Sequence, residues 1–449
     1  MTDLTAQLDF TEGSIPKKMI AFAFPIFLTN MLQTSYQLID SLWAGNLLGA
    51  KALAALAISG PVIFTVLSFI IGVNNATLTV LSQKKGAEDG EGLKEALNGF
   101  VFVLGFMAVI LGILGILFAA PLLKLLGAPT SVLPMAVIYL RLNFTGILFL
   151  FGYNFISTVL RALGDSRSPI RFVFIAVILN AVLVPIFVKG FGMGIMGPAL
   201  STVIAQGVAF LYGLYFSIKK ARVPFAIPRL PGVENFNMLM KLGLPSGLQM
   251  MAISGGSAAI TSVAAHFGQE VLAGYGASQR VNNLIMIPIQ TLGVAVTSMA
   301  GQNIGSKHWG RIAGITRYAL LFNFGLSLFI GILVFILAPE LIRLFTSDAE
   351  TVTFGSSYLR GVAFFYPFLG INFVLNGVVR AAGAMFQILV LNLISFWILR
   401  FPLAYLFGHW LGSEGIAIGI GFSFVVSSLC AMAYYWKGGW RHIRIFDTK

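Results

Sequence analysis

The chain carries little charge of either sign and least of the negative: 16 Asp and Glu against 29 Lys and Arg in 449 residues, a charged fraction of 10%. Soluble domains hold about a quarter of their residues charged, so a fold bathed in water on all sides is excluded. The single cysteine, Cys430, excludes an intramolecular disulfide and any paired-cysteine metal or redox site. His266, His308, His409 and His442 stand far apart and form no HExxH pair, so no metal site is expected. Gly192-Met-Gly-Ile-Met-Gly197 fits GxGxxG, but no strand precedes it and no Walker lysine follows any glycine run. No cofactor and no catalytic cluster emerges, and the chain does not read as an enzyme.

In place of charge there is hydrocarbon: 57% hydrophobic residues and a mean hydropathy of +0.89, the composition of a polytopic membrane protein. A spanning helix takes about 20 largely apolar residues. Twelve such segments follow one another from the one around Met31 to the one around Phe424. Stretches such as Phe100 to Ala120 are apolar on every face, which a β-barrel strand of about 10 alternating residues is not. The expected fold class is an all-α integral membrane protein. The head lacks a small-residue cleavage site, so the first helix is expected to be retained.

The net charge of +13 is dispersed over short loops, which argues for topology signals and against nucleic acid. With both termini cytoplasmic, 21 of the 29 basic residues fall inside, 6 (Arg400 among them) lie at outer connections and helix ends, and Arg141 and Arg360 lie within spans. The expected location is therefore a bacterial cell membrane, crossed many times, with both termini in the cytoplasm.

The chain also repeats itself at a spacing of about 219 residues. Gly49 to Ser59 pairs with Gly268 to Ser278, Gln83-Lys-Lys-Gly86 with Gln302-Asn-Ile-Gly305, Tyr139-Leu-Arg141 with Tyr358-Leu-Arg360, and Arg161-Ala-Leu-Gly164 with Arg380-Ala-Ala-Gly383. Pro25 and Pro245, Pro185 and Pro402, and the GxxGxA pieces ending in Ala199 and Ala417 keep nearly the same offset. Six helices per half make the repeat parallel, an architecture of secondary transporters. The expected domains are an N-terminal lobe over 1–222, a cytoplasmic linker over 223–233 with Pro224, Pro228 and Pro231, and a C-terminal lobe over 234–449. Gly415-x-x-x-Gly419 is expected to serve helix packing within a monomer.

Of the 16 acids only Asp40 lies inside an apolar segment. Intramembrane acids face a bundle interior or a wet cavity and mark ion or substrate paths. Gln33, Tyr36, Gln37 and Asp40 recur at i, i+3, i+4 and i+7, a polar stripe on one helix face. Asn154, Ser157, Asn180, Thr202 and Gln206 are the other polar groups the first half offers, and Met31, Phe64, Leu67 and Met286 are apolar candidates for a cavity wall. Structural readings stand beside these: a helix-end acid for Asp40, interhelical glue for the stripe, plain packing for the Met and Phe side chains.

Two six-helix halves, Pro25 with Asp40 in the first helix, the segment RALGDSRSP from Arg161 to Pro169, and the paired GxxGxA pieces resemble the multidrug and toxic compound extrusion (MATE) family. The lone first-helix acid resembles its DinF-type bacterial branch. The resemblance implies two lobes that open alternately and export cationic lipophilic compounds in exchange for protons or sodium. It also implies Asn180 as a partner of the acid, while Val184 stands where some relatives carry a second aspartate. Carboxyl groups withdrawn from water bind protons more readily, and sodium asks for several hard oxygens. Proton coupling at Asp40 is thus expected, with membrane lipid as surroundings. Sodium coupling and a lipid-linked precursor flippase of similar fold are the alternatives.

Overall fold

The computed structural model describes residues 7–226 and 230–446, and of Gln37 the backbone only. The side chain of Gln37 and the linker residue Pro228 therefore lie outside the described residues. Among those described there is no strand. The helices, in chain order, are α1 (Ile15–Leu48), α2 (Ala50–Gly86), α3 (Gly90–Leu125), and α4 (Leu133–Thr145 and Ile147–Ala162, bent by 49°). Next come α5 (Ser168–Gly190), α6 (Met196–Lys219), α7 (Val233–Ala265), α8 (Gln269–Gly305) and α9 (Trp309–Arg343). Last are α10 (Ala349–Ala363 and Tyr366–Ala381, bent by 54°), α11 (385–411) and α12 (Gly415–Lys437).

The stretch Met385–Lys437 is helical over 53 residues, about 80 Å if straight, against a hydrocarbon core of about 30 Å. It turns back at Gly412, whose φ of 72° leads into the short 3-10 turn Gly412–Glu414, so it supplies two spans. With the two bent pairs counted as one span each, the described residues form the twelve spans expected.

The described chain separates into two compact units, residues 7–9 with Phe24–Met240, and Phe10–Ala23 with 241–446. The changeover within α1 falls between Ala23 and Phe24, next to Pro25. Phe10 is held in the second unit through its backbone groups: its N–H donates to Gln302 Oε1 (3.3 Å), and its carbonyl accepts from Asn303 Nδ2 (2.9 Å).

Both units pack by one plan. In the first, α2 lies on α3 and both parts of α4, and α6 on α4 and α5; in the second, α8 lies on α9 and both parts of α10, and α12 on α10 and α11. Lipid tails are as apolar as leucine, so packing and hydrogen bonds hold such helices rather than water avoidance. The bonds repeat at a spacing of 219 residues. Arg141 Nε donates to the Ile116 carbonyl and Arg360 Nε to the Phe335 carbonyl, each at 3.1 Å. Ser59 Oγ donates to the Ala136 carbonyl (3.5 Å) and Ser278 Oγ to the Gly355 carbonyl (3.2 Å). Arg141 and Arg360 thus strap neighbouring helices together.

Gly164 and Gly383 explain the paired Arg-Ala-x-Gly motifs. Each ends a helix with φ of 92°, the left-handed conformation that glycine takes without strain. Each is followed by a residue whose N–H reaches back five positions, Asp165 to Leu160 and Ala384 to Val379, which satisfies carbonyls left open at the helix end. In the first half alone, the buried Asp165 then caps α5, accepting from Ser168 N (3.0 Å) and Ser168 Oγ (2.6 Å).

Gly415 and Gly419 pack within the chain, as expected. A Cβ on Gly415 would stand 2.0 Å from the Phe407 carbonyl oxygen, and one on Gly419 2.5 Å from that of Leu403, so α12 meets the backbone of α11 directly. Arg400 is a correction. Taken above as a helix-end residue, it sits midway along α11, at the end of the π-helical stretch Ile394–Arg400, with only 8% of its surface accessible.

Candidate functional site

Asp40 lies about two turns inside the end of α1 at Leu48, buried to 6% exposure. Its helix brings the carboxylate against α5 and α6. Asn180 Nδ2 donates to Asp40 Oδ1 (3.2 Å), Thr202 Oγ1 donates to Asp40 Oδ2 (2.9 Å), and Asn180 Nδ2 also donates to Thr202 Oγ1 (3.0 Å). The three groups close a ring. Each carboxylate oxygen has one neutral donor, and no cation among the described residues lies within ion-pair distance of Asp40.

Tyr36 stands one turn before Asp40 on the same face, buried, its hydroxyl without a hydrogen-bond partner. Asn180 Oδ1 is likewise buried and unpartnered. Tyr139 from α4 lies near the carboxylate, and the buried Tyr153, also from α4, lies beside the side chains of Asn154 and Gln33. Gln33, Tyr36 and Asp40 of α1 therefore lie beside polar groups of α4, α5 and α6 inside the first unit.

Other candidates make no hydrogen bond to the ring. Ser157 Oγ turns back to the Tyr153 carbonyl (2.8 Å), and Asn154 Nδ2 to the Leu150 carbonyl (2.8 Å). Gln206 and Leu67 are half-buried, Met31 and Phe64 exposed. Met286 belongs to the second unit and packs against that unit's apolar core. Tyr139 and Tyr153 were not anticipated. Tyr139 recurs as Tyr358 and so reads as scaffold, whereas the signal for Tyr153 is its adjacency to Asn154 inside an apolar run.

The second unit holds no copy of the ring. The offsets of Pro25 to Pro245, Pro185 to Pro402 and Ala199 to Ala417 set Ile260, Trp397 and Ile420 opposite Asp40, Asn180 and Thr202. Ile260 and Ile420 lie in the buried apolar cluster of that unit. What it does hold is a pocket of about 330 Å³ between α7 and α11, where His266 and His409, distant in sequence, face one space with Phe267, Phe401 and Tyr405. Among the described residues no group of three His, Cys, Asp or Glu gathers anywhere.

The MatE family model matches residues 25–186 and 245–406, once in each half. The chain is 53% identical over 441 residues to the probable multidrug resistance protein YpnP of Bacillus subtilis, covering 98% of this chain and 99% of that one. It is 28% identical to the probable multidrug resistance protein YoeA of the same organism, covering 95% of each. The fold agrees with a crystal structure of MATE in the straight conformation, with a TM-score of 0.90, 24% identity, and coverage of 96% of this chain and 98% of that chain.

Proposed function

Because the chain belongs to the MatE family of multidrug efflux transporters, we propose that it is a proton-coupled antiporter exporting cationic lipophilic compounds by alternating access. Asp40 exchanges proton for substrate. The observation that carries this reading is the ring of Asp40, Asn180 and Thr202: one buried carboxylate, two neutral donors and, among the described residues, no second acid and no cation bonded to it.

The ring can serve both states of the acid. Ionised, Asp40 accepts from Asn180 and Thr202, as observed. Protonated, it donates its O–H to Thr202 Oγ1, and the threonine hydroxyl rotates away, since a hydroxyl has one proton and two lone pairs. Facing the cytoplasm, the ionised acid pairs with a cationic substrate from the cytoplasm or inner leaflet; facing outward it takes a proton and the substrate leaves. One proton for one monovalent cation moves no net charge. The pH gradient then drives export at about 1.4 kcal/mol per unit, and the membrane potential, about 2.3 kcal/mol per charge per 100 mV, does no net work. The distribution of Lys and Arg supports a bacterial cell membrane with both termini cytoplasmic, and the lone acid supports the DinF-type branch.

Sodium coupling is the second reading, favoured by the unpartnered oxygens of Asn180 and Tyr36 close to the carboxylate. A flippase for lipid-linked pyrophosphate would need several free cations, and Arg141 and Arg360 are engaged with backbone carbonyls. Flux of a cationic dye in proteoliposomes, with pH and sodium gradients imposed separately, decides among these. Wild type should respond to the pH gradient alone, and Asp40→Asn to neither. If Asp40→Asn still exports dye down a pH gradient, the central assignment is wrong.

A further inference from the structure

Arg400 is the second unit's own buried charge. It ends the π-helical stretch of α11, an irregularity frequent at functional sites. The corresponding residue of the first unit, by the offset of Pro185 to Pro402, is Leu183, so the cation occurs in one copy only. No carboxylate lies within ion-pair distance of it among the described residues.

What surrounds the guanidinium selects its faces and leaves its fork. The Arg400 Cζ lies 3.7 Å from the ring centroid of Phe396 and 4.7 Å from that of Phe424. Nε donates to Ser423 Oγ (3.2 Å), whose own proton goes to the Ile420 carbonyl (2.6 Å). Tyr275 and Tyr358 lie nearby and are themselves almost fully buried. Nε is the one guanidinium nitrogen with an acceptor among the described residues, and neither terminal nitrogen is wholly closed off from the surface. A guanidinium offers five donors in a planar fork that fits a carboxylate or phosphate through two parallel bonds. The stem and the faces of the guanidinium are closed in, with 8% of the residue accessible, while its terminal nitrogens still reach the surface, so the open fork is presented to an incoming acceptor.

We propose that Arg400 is an anion-binding site within the second unit, taking a carboxylate or phosphate monoanion through its terminal nitrogens, with Phe396 and Phe424 favouring an aromatic body beside the anion. The site is independent of Asp40 and of the coupling ion. The ligand reaches it either as a solute or as the headgroup of an anionic lipid.

The test uses the full chain in phosphatidylcholine nanodiscs and the fluorescent probe 2-naphthoate, with its methyl ester as the uncharged control. Wild type should bind 2-naphthoate saturably and the ester at least about tenfold more weakly, the loss expected when a charge-assisted pair is removed. Arg400→Gln should lose binding by a similar factor. Arg400→Lys, which keeps the charge but not the fork, should fall between. Replacing part of the phosphatidylcholine by phosphatidylglycerol assigns the source: competition with the probe means a lipid headgroup, no competition a solute. Equal binding of acid and ester by wild type, no saturable binding of the acid in either lipid, or unchanged binding by folded Arg400→Gln would each overturn the proposal. Should Arg400→Gln fail to fold, the acid-to-ester comparison and Arg400→Lys decide.

Discussion

Thr202→Val removes one hydrogen bond from the Asp40 carboxylate and keeps the volume of the side chain. The bond is 2.9 Å long and its acceptor is only 6% exposed, so water has little room to replace the lost donor. A hydrogen bond to a charged group contributes about 1.5–3 kcal/mol, which is about 10- to 150-fold in the population of the ionised acid that pairs with a cation. Half-saturating substrate concentration for export at fixed pH should rise by a factor in that range. Asn180→Leu removes the 3.2 Å bond to Asp40 and the 3.0 Å bond to Thr202 together. Since Asn180 orients the threonine oxygen that serves the acid, the double variant should cost less than the sum of the singles by more than about 0.5 kcal/mol, the usual limit of additivity. The assay is a double-mutant cycle on dye export in proteoliposomes, with folding of each variant checked by melting. Independent, additive effects, or an unchanged half-saturation in Thr202→Val, would refute the ring as a unit.

Other expectations concern the scaffold. Asp89 caps α3, its Oδ1 accepting from Gly92 N (2.8 Å) and its Oδ2 paired with Lys84 Nζ (2.6 Å); the Lys84 hydrogen bond first, then Gly92, holds this carboxyl below its ordinary 3.8. A depressed acid contributes stability above its unfolded value and loses it as pH falls through the folded one, so Asp89→Ala should melt earlier at neutral pH by about 1 kcal/mol and converge with wild type in acid. Gly415→Ala should destabilise by about 1–3 kcal/mol with no change of oligomeric state, while Gly276→Ala, with nothing within 4 Å of the new Cβ, should be neutral or better; a shift in mass on light scattering would instead make the Gly415 face a dimer contact. Arg141→Leu and Arg360→Leu, which break matching 3.1 Å bonds, should lower the melting temperature equally.

Most of the architecture was legible because a membrane leaves few options. Long apolar runs must be helices, and the 219-residue spacing reported the duplication before any coordinate did. Asp40 stood out for a similar reason, as the one acid with no loop to excuse it. Its partners were only half legible: Asn180 and Thr202 were among several polar residues in apolar helices, and nothing in the spacing says that those two, and not Gln206, bond the acid. Arg400 was misread because hydropathy windows blur the middle of a span that contains a cation, and the π-helical turn that accommodates it has no sequence signature. The two histidines of the α7 and α11 pocket were dismissed on sequence distance, which folding across a helix pair removes.

The matched bonds of Arg141 with Arg360 and Ser59 with Ser278 give this chain an internal control that a single-copy protein lacks. Substitute both members of such a pair, and a residue that merely holds helices together should show the same loss twice. A residue whose counterpart is of another type, as Ile260 is to Asp40 or Leu183 to Arg400, has no second copy to lose. Scanning the chain in register with itself would thus sort structural from transport residues by symmetry, before any substrate is known.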